Sequence, residues 1–415
     1  MNTPVTERVI RPGETDVLAA ITDPVIKQDP YPFLDRVREQ SPVHRNPTGG
    51  VWFVSRHADA LRVLRDPLFR APSHAELVER FPRYRTSRAL RSFLDSMVVT
   101  NPPEHTRLRK ATSQYLSPRR TQHFRAICER HCDRLLPPLA ERLRDGETVD
   151  LHADLVYPFS WNVISDVVGV PAADRPALAA CALPAIAAVN PGTGEQQLQQ
   201  ADDASAQLET YFAALLAHRR GDPACDPEQD LASCLAGQLS ERDAVSALWI
   251  LWTAGYESTV GGIDTGVLAM LTHHDQARFL DGTPQEADAF VTECLRHDPP
   301  VSSTGTPRMP SRPVELSGVL VPPEADVRVL VGAANRDPEA FAEPHRFLPG
   351  RTENAAPVTF GHGPHYCLGA GLAKIEMATL LTRLRRELPG LTLAAPPRRR
   401  EDGALRCFAS LHVSV

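Results

Sequence analysis

The chain has 415 residues, 42% of them hydrophobic and 23% charged, with a formal net charge of −6. That is enough apolar material for a large packed core. Lys and Arg form no long stripe, which excludes nucleic acid as a partner, because neutralising phosphates needs clustered cations. The short Arg398–Arg400 run reads as a solvated surface patch.

No stretch of about 18 uninterrupted apolar residues predicts a membrane span, and the N-terminus has no apolar core of leader type. The cysteines Cys128, Cys132, Cys181, Cys225, Cys234, Cys294, Cys367 and Cys407 are scattered along the chain. This spread points to a reducing cytoplasm rather than a disulfide framework.

In chain order, residues 1–20 read as a loosely held arm and residues 21–415 as one domain without a Pro-rich linker or a repeat. Tyr31 to Glu39 reads as a helix. Val43–Arg45 and Val51–Ser55 read as strands paired across Asn46-Pro47-Thr48-Gly49-Gly50. His57 to Arg65 is a second helix, and helical periodicity dominates from about 104 to 290. Within it, residues 171–225 resemble a lid of two Ala-rich helices joined through Asn190-Pro191-Gly192-Thr193-Gly194. Residues 241–273 form one long predicted helix, roughly 50 Å at 1.5 Å per residue, with Ser240 and Asp243 as its capping pair. Gly255, Gly261, Gly262 and Gly266 lie inside it, each costing on the order of 1 kcal/mol against alanine, so tertiary packing must require them. Alternation in Val314–Val321 and again in Val327–Val331 predicts a β-hairpin turning at Pro322-Pro323-Glu324-Ala325. Leu368 to Leu388 is helical again. The fold class is mainly α with a small β region (α+β).

The most informative segment is Phe360-Gly361-His362-Gly363-Pro364-His365-Tyr366-Cys367-Leu368-Gly369. Its glycines permit tight backbone approaches. Cys367 stands where the loop becomes a helix, whose positive end favours a thiolate and whose N–H groups can tune the sulfur. A thiolate so placed is a competent iron ligand.

This pattern resembles the haem-binding loop of the cytochrome P450 family, and further segments in the expected order extend the likeness from about residue 25 to the end. The resemblance implies haem b between the long central helix and the helix after the cysteine loop, with Cys367 on the iron. Phe360, Gly361 and Gly369 would cradle the ring. His105 and Arg109, Arg308, and His365 stand where relatives hold the two propionates, by charge-assisted hydrogen bonds. Glu293-Cys294-Leu295-Arg296 resembles the Glu-x-x-Arg helix, and Arg346 stands as the third member of that structural triad.

Ala254-Gly255-Tyr256-Glu257-Ser258-Thr259 resembles the oxygen-activating segment. Ala254 and Gly255 would leave room for O2, and Glu257 with Ser258 would deliver protons. Ser258 replaces the usual threonine, so Thr259 next to it is a second candidate. Ile250, Thr253, Ala254, Glu257 and Ser258 share a helix face. With Glu257 toward the haem, Ile250 and Thr253 would meet substrate, together with Val98, Val99, Ser303 and Thr304.

The resemblance makes the chain a monooxygenase that hydroxylates or epoxidises a bulky apolar small molecule, of polyketide or macrolide type. No flavin or iron–sulfur segment is present, so a ferredoxin and its NAD(P)H-dependent reductase would supply electrons. Arg107, Lys110, Arg119, Arg120 and Lys374 would form the docking face. The alternatives are a peroxygenase on the same fold and a non-catalytic haem-thiolate recruitment module of a biosynthetic assembly.

Overall fold

The computed structural model describes residues 9–190, 193–353, 355–401 and 405–415. Among them are ten helices of nine residues or more: α1 Tyr31–Gln40, α2 His57–Arg65, α3 Glu104–Tyr115, α4 Thr121–Arg144, α5 Tyr157–Val168, α6 Arg175–Ala187, α7 Glu195–Gly221, α8 Glu241–Thr272, α9 Pro284–His297 and α10 Ala370–Glu387. Helix α8 crosses the core and packs on α5, α7, α9 and α10. Ser240 caps it, its hydroxyl accepting from the Asp243 N–H at 3.2 Å.

One side of α8 is held by aromatics. Trp252 and Tyr256 meet Trp161 of α5 edge to face, at centroid separations of 4.7 and 5.4 Å, a favoured geometry for ring quadrupoles. The glycines of α8 are contact points. A Cβ at Gly255 would lie 2.8 Å from Ile164 Cδ1, and one at Gly262 would lie 3.1 Å from Met377 Sδ. Neighbouring helices therefore approach closer than alanine would allow, which accounts for the propensity cost.

The strands are short and flank the helices. β1 Val43–Arg45 pairs antiparallel with β2 Trp52–Val54, in the register Val43↔Val54, His44↔Phe53, Arg45↔Trp52. The second expected hairpin is corrected. Val314–Leu316 (β3) pairs with Val319–Val321 (β4), and the chain turns at Ser317 and Gly318, with φ of 42° and 78°. Val327–Val329 (β5) runs parallel to β2 instead. Pro322 to Ala325 is thus the connection between two sheets.

Two other expectations are corrected by burial. Residues 1–8 of the predicted arm lie outside the described residues, but Ile10, Val17 and Ala20 are buried against Tyr31, Phe33 and Leu330. Asp16 also caps Val17–Thr22. The segment is therefore anchored at Ile10, Val17 and Ala20, while Val9 and residues 11–14 are exposed. The Arg398–Arg400 run is not a solvated patch either. Arg399 is buried and paired with Asp298, and Arg400 pairs with Glu257. The lid expected over 171–225 comprises α6 and α7, packed on each other; Pro191 and Gly192 of its linker lie outside the described residues.

Candidate functional site

A cavity of about 420 Å³ lies between α8 and the loop before α10. Ile250, Leu251, Ala254, Gly255, Ser258 and Thr259 present one face of α8 to it, following the i, i+4, i+8 rows of a helix. Cys367, His105, Arg109, Arg308, Phe360, Gly361, His365 and Gly369 complete the set of expected cofactor contacts. The structure brings all ten together from four separate stretches of chain.

The cysteine loop is fixed by its backbone. Gly361 and Gly363 have φ of 68° and 70°, and a Cβ on Gly363 would clash with the Leu64 carbonyl oxygen of α2. The Cys367 N–H donates to the Phe360 oxygen at 2.8 Å. Cys367 has accessible surface because it faces the cavity, yet protein atoms crowd it closely, and that burial pushes its thiol above the ordinary value. Backbone N–H groups of Gly369 and Ala370, at the start of α10, and the Arg109 guanidinium act in the opposite direction. A bound metal ion at the sulfur would favour the thiolate in the same sense as these groups.

At one end of the cavity four basic groups converge. The rings of His105 and His365 lie 4.2 Å apart. Burial, then Arg308, His105 and Arg109, hold His365 down at about 2. Burial brings Arg308 down to about 10, its Nη1 donating to the Pro307 carbonyl at 3.1 Å. Arg109 donates to the Tyr366 carbonyl at 2.6 Å. Among the described residues no carboxylate forms an ion pair with Arg109 or Arg308. A buried cation without an anion is costly, and Arg308 is one, so this end of the cavity fits a group bearing acidic substituents. The Cys367 sulfur on the same wall fits a metal, and the two together fit haem with its propionates.

The distal face departs from expectation. Ser258 and Thr259 line the cavity, with hydroxyls donating to the Ala254 and Gly255 carbonyls at 3.1 and 3.0 Å. Glu257 does not line it. Its carboxylate pairs with Arg400 at 2.8 Å. The cavity face is rotated by about one residue from the predicted one, because Trp252 and Tyr256 claim the opposite side. Thr253 is consequently buried, bonded to the Trp249 carbonyl at 2.7 Å, and does not face the cavity. Val99 packs with Leu77 and Leu94, and Ser303 bridges to Leu330. Val98, Ile250 and Thr304 do line the cavity, joined by Ile164, Val167 and Val168 of α5 and by Leu231, which sequence reasoning missed.

The triad is corrected at its third member. Arg296 binds Glu293 in two-pronged fashion at 2.7 and 2.8 Å. The partner that joins them is Arg351, whose Nε donates to both Glu293 oxygens at 3.1 and 3.2 Å. The Arg346 side chain lies outside and pairs with Glu343; only its carbonyl takes part, accepting from Arg296 and Arg351. The expected basic docking face is also largely occupied. Arg107 pairs with Glu104 and Asp243, Arg120 with Glu228, and Lys374 with Asp288.

No helix among the described residues is long and apolar enough to cross a membrane. The family model described as Cytochrome P450 matches residues 287–388. The chain is 36% identical to "Cytochrome P450 BJ-3" of Bradyrhizobium diazoefficiens over 96% of both chains. It is 33% identical to the "Cytochrome P450 monooxygenase PikC" of Streptomyces venezuelae, over 89% of this chain and 86% of that one. The crystal structure of P450BioI, in complex with hexadec-9Z-enoic acid ligated acyl carrier protein, superposes with a TM-score of 0.84 at 28% identity, covering 94% of this chain and 99% of that one. Likeness at this level of identity over nearly the full length, with the sulfur and basic groups converging on one cavity, means that the chain belongs to the cytochrome P450 family of haem-b monooxygenases.

Proposed function

We propose that this P450 hydroxylates or epoxidises a bulky, weakly polar molecule of polyketide or macrolide type. The observation that carries the reading is the cavity wall: Cys367 and four basic groups at one end, and an almost wholly apolar lining of Val98, Ile164, Val167, Val168, Leu231 and Ile250 elsewhere. Such a lining selects by shape and apolar burial. Relatives named for polyketide biosynthesis, such as the PksS enzyme of Bacillus subtilis at 28% identity, support the class.

Haem would sit with its iron on Cys367 and its propionates on His105, Arg109, Arg308 and His365, and when bound it supplies the oxygen-activating chemistry. The chain's own residues do the rest. Ala254 and Gly255 keep the space beside α8 open. Ser258 and Thr259 hold exchangeable protons at the cavity wall. Glu257 is held by Arg400 away from this wall. Glu293, Arg296 and Arg351 fix the chain behind the cysteine loop. Electrons come from a ferredoxin and its reductase; Lys110 and Arg119 have no ion pair among the described residues and provide the positive potential for docking.

The test is optical and kinetic. A panel of macrolides and their aglycones should produce a low-to-high-spin shift, and NADPH, reductase and ferredoxin should yield oxygenated product. Product from hydrogen peroxide alone, with none from the electron donors, would replace the reading with a peroxygenase. No spin shift with any member of the panel would remove the substrate class.

A further inference from the structure

A second cavity, also of about 420 Å³, shares no lining residue with the first. It lies where the C-terminal ends of α8 and α9 meet the segments around Tyr31 and Phe408. Three arginines stand on its wall, and Arg336, Arg399 and Arg406 are 6%, 6% and 3% exposed. They stay charged, because a guanidinium does not give up its proton in a protein. The wall supplies two carboxyls in return. Despite its burial, Asp298 is held well below the ordinary carboxylate range by Arg399 and Arg406, then by Tyr31 and Arg336. It is the ion-pair partner of Arg399 and Arg406. Asp29 is exposed to solvent. One buried carboxylate thus answers three buried cations.

Arg336 is the member left over. Among the described residues no carboxylate forms an ion pair with it. Its Nε and Nη2 donate to the His297 carbonyl at 3.0 and 2.7 Å, and its Cζ lies 3.3 Å from the centroid of the Tyr31 ring. Its Nη1 has one partner, His345 Nδ1, at the long distance of 3.5 Å. The adjoining imidazole registers the surplus charge: burial first and Arg336 second hold His297 at about 3. On α8, Thr265 lines the same cavity, and its hydroxyl is buried without a hydrogen-bond partner.

A buried cation without an anion is costly. The planar fork of a guanidinium matches the paired oxygens of a phosphate or carboxylate. We propose that this cavity is a binding site for a small polyvalent oxyanion, a phosphate or a polycarboxylate, with Arg336 as its main ligand and Thr265 as a hydroxyl donor. The anion balances the charge that Asp298 leaves unanswered. Because it binds only where these segments are brought together, it stabilises the native fold. The site is independent of the monooxygenase reading.

The test uses the haem-loaded protein, so that the basic groups of the first cavity are already engaged. Titration calorimetry is run with inorganic phosphate and with citrate, each against chloride at equal ionic strength. At least one should bind saturably, one per chain, and should raise the thermal midpoint. Arg336→Gln should weaken that binding at least tenfold. Thr272→Glu, which brings a carboxylate to an exposed position on the same wall, should weaken it in the same direction. Binding of phosphate alone identifies a phosphate ligand, and binding of citrate alone a polycarboxylate. Excluded salts stabilise proteins without a site, so a midpoint rise that persists undiminished in both variants overturns the proposal. Absence of saturable binding by either anion also overturns it. Should Arg336→Gln fail to fold, wild-type affinity in Thr272→Glu overturns it as well.

Discussion

At the scale of single residues, the site divides into groups whose chemistry is local and groups whose role depends on how the chain turns. Cys367 and the four basic side chains belong to the first kind. Cys367→Ser should abolish the thiolate signature in the reduced carbon-monoxide spectrum while leaving the fold intact, measured by circular dichroism. Arg308 is buried with no carboxylate of its own, so hydrogen bonds from it to a propionate would be charge-assisted and contribute about 1.5–3 kcal/mol. Arg308→Gln should therefore lose haem to an apo-myoglobin acceptor roughly tenfold or more faster, a factor of ten being about 1.4 kcal/mol. The proton relay can be apportioned the same way. General acid–base assistance contributes about 100-fold or more, and Ser258 is the more open of the two hydroxyls. Ser258→Ala should depress product per O2 more than Thr259→Val. These residues were legible because each sits in a short contiguous pattern. Glu376, which also lines the cavity, was not, since one Glu between Ile375 and Met377 on a mixed helix gives no sign of which way it faces; its side is set by Met377 and Leu381 packing on Gly262 and Gly266.

At the scale of elements, the errors of sequence reading share one cause: a local pattern names the residue types and tertiary contact chooses among them. Arg346 and Arg351, beyond the Glu-x-x-Arg helix, stand five residues apart. Spacing cannot choose between them, but the turn at Gly350, with φ of 77°, sends Arg351 inward and leaves Arg346 in solvent. The β alternation around 314–331 was read correctly as strands, but its pairing was not. Ser317-Gly318 makes a tighter turn than Pro322–Ala325, since both residues adopt the positive φ that two-residue hairpins favour, and β5 then joins a strand some 275 residues away in sequence. The helix boundaries, by contrast, were nearly right, because caps and periodicity are local. The triad gives a sharp test. Removing one partner of a buried ion pair costs about 3–5 kcal/mol, so Arg351→Ala should lower the urea midpoint strongly. Arg346→Ala removes an exposed pair, where the effect is about 0–1 kcal/mol, and its midpoint should be close to wild type. The reverse order would restore the sequence-based assignment.

At the scale of the whole molecule, buried histidines make the fold acid-sensitive in a defined window. His297, at the C-terminal end of α9, is held at about 3 by burial first and by the Arg336 guanidinium second. Its Nε2 contacts the His345 carbonyl oxygen at 3.0 Å. A base whose folded pKa is depressed stays neutral in the native state but takes up a proton when the chain unfolds below about 6.5. Its stabilising effect is complete above that value and declines as pH falls from 6.5 toward 3, by at most about 1.4 kcal/mol per pH unit for one proton. The lowered carboxylates act elsewhere. Asp166 is lowered to about 2 by His131 and Arg175 despite its burial, so its contribution is lost only below the ordinary Asp range, near pH 4 and under. Between pH 6.5 and 4.5 the buried acids Glu376 and Asp264, pushed up by burial, act in the opposite sense, so the His297 effect is read as a difference between wild type and variant. His297→Gln, which keeps a donor for the His345 carbonyl but cannot titrate, should change the slope of the unfolding midpoint against pH by up to one proton's worth. An unchanged slope in that variant would mean that His297 is already protonated in the native fold beside Arg336, against the electrostatics of the α9 terminus.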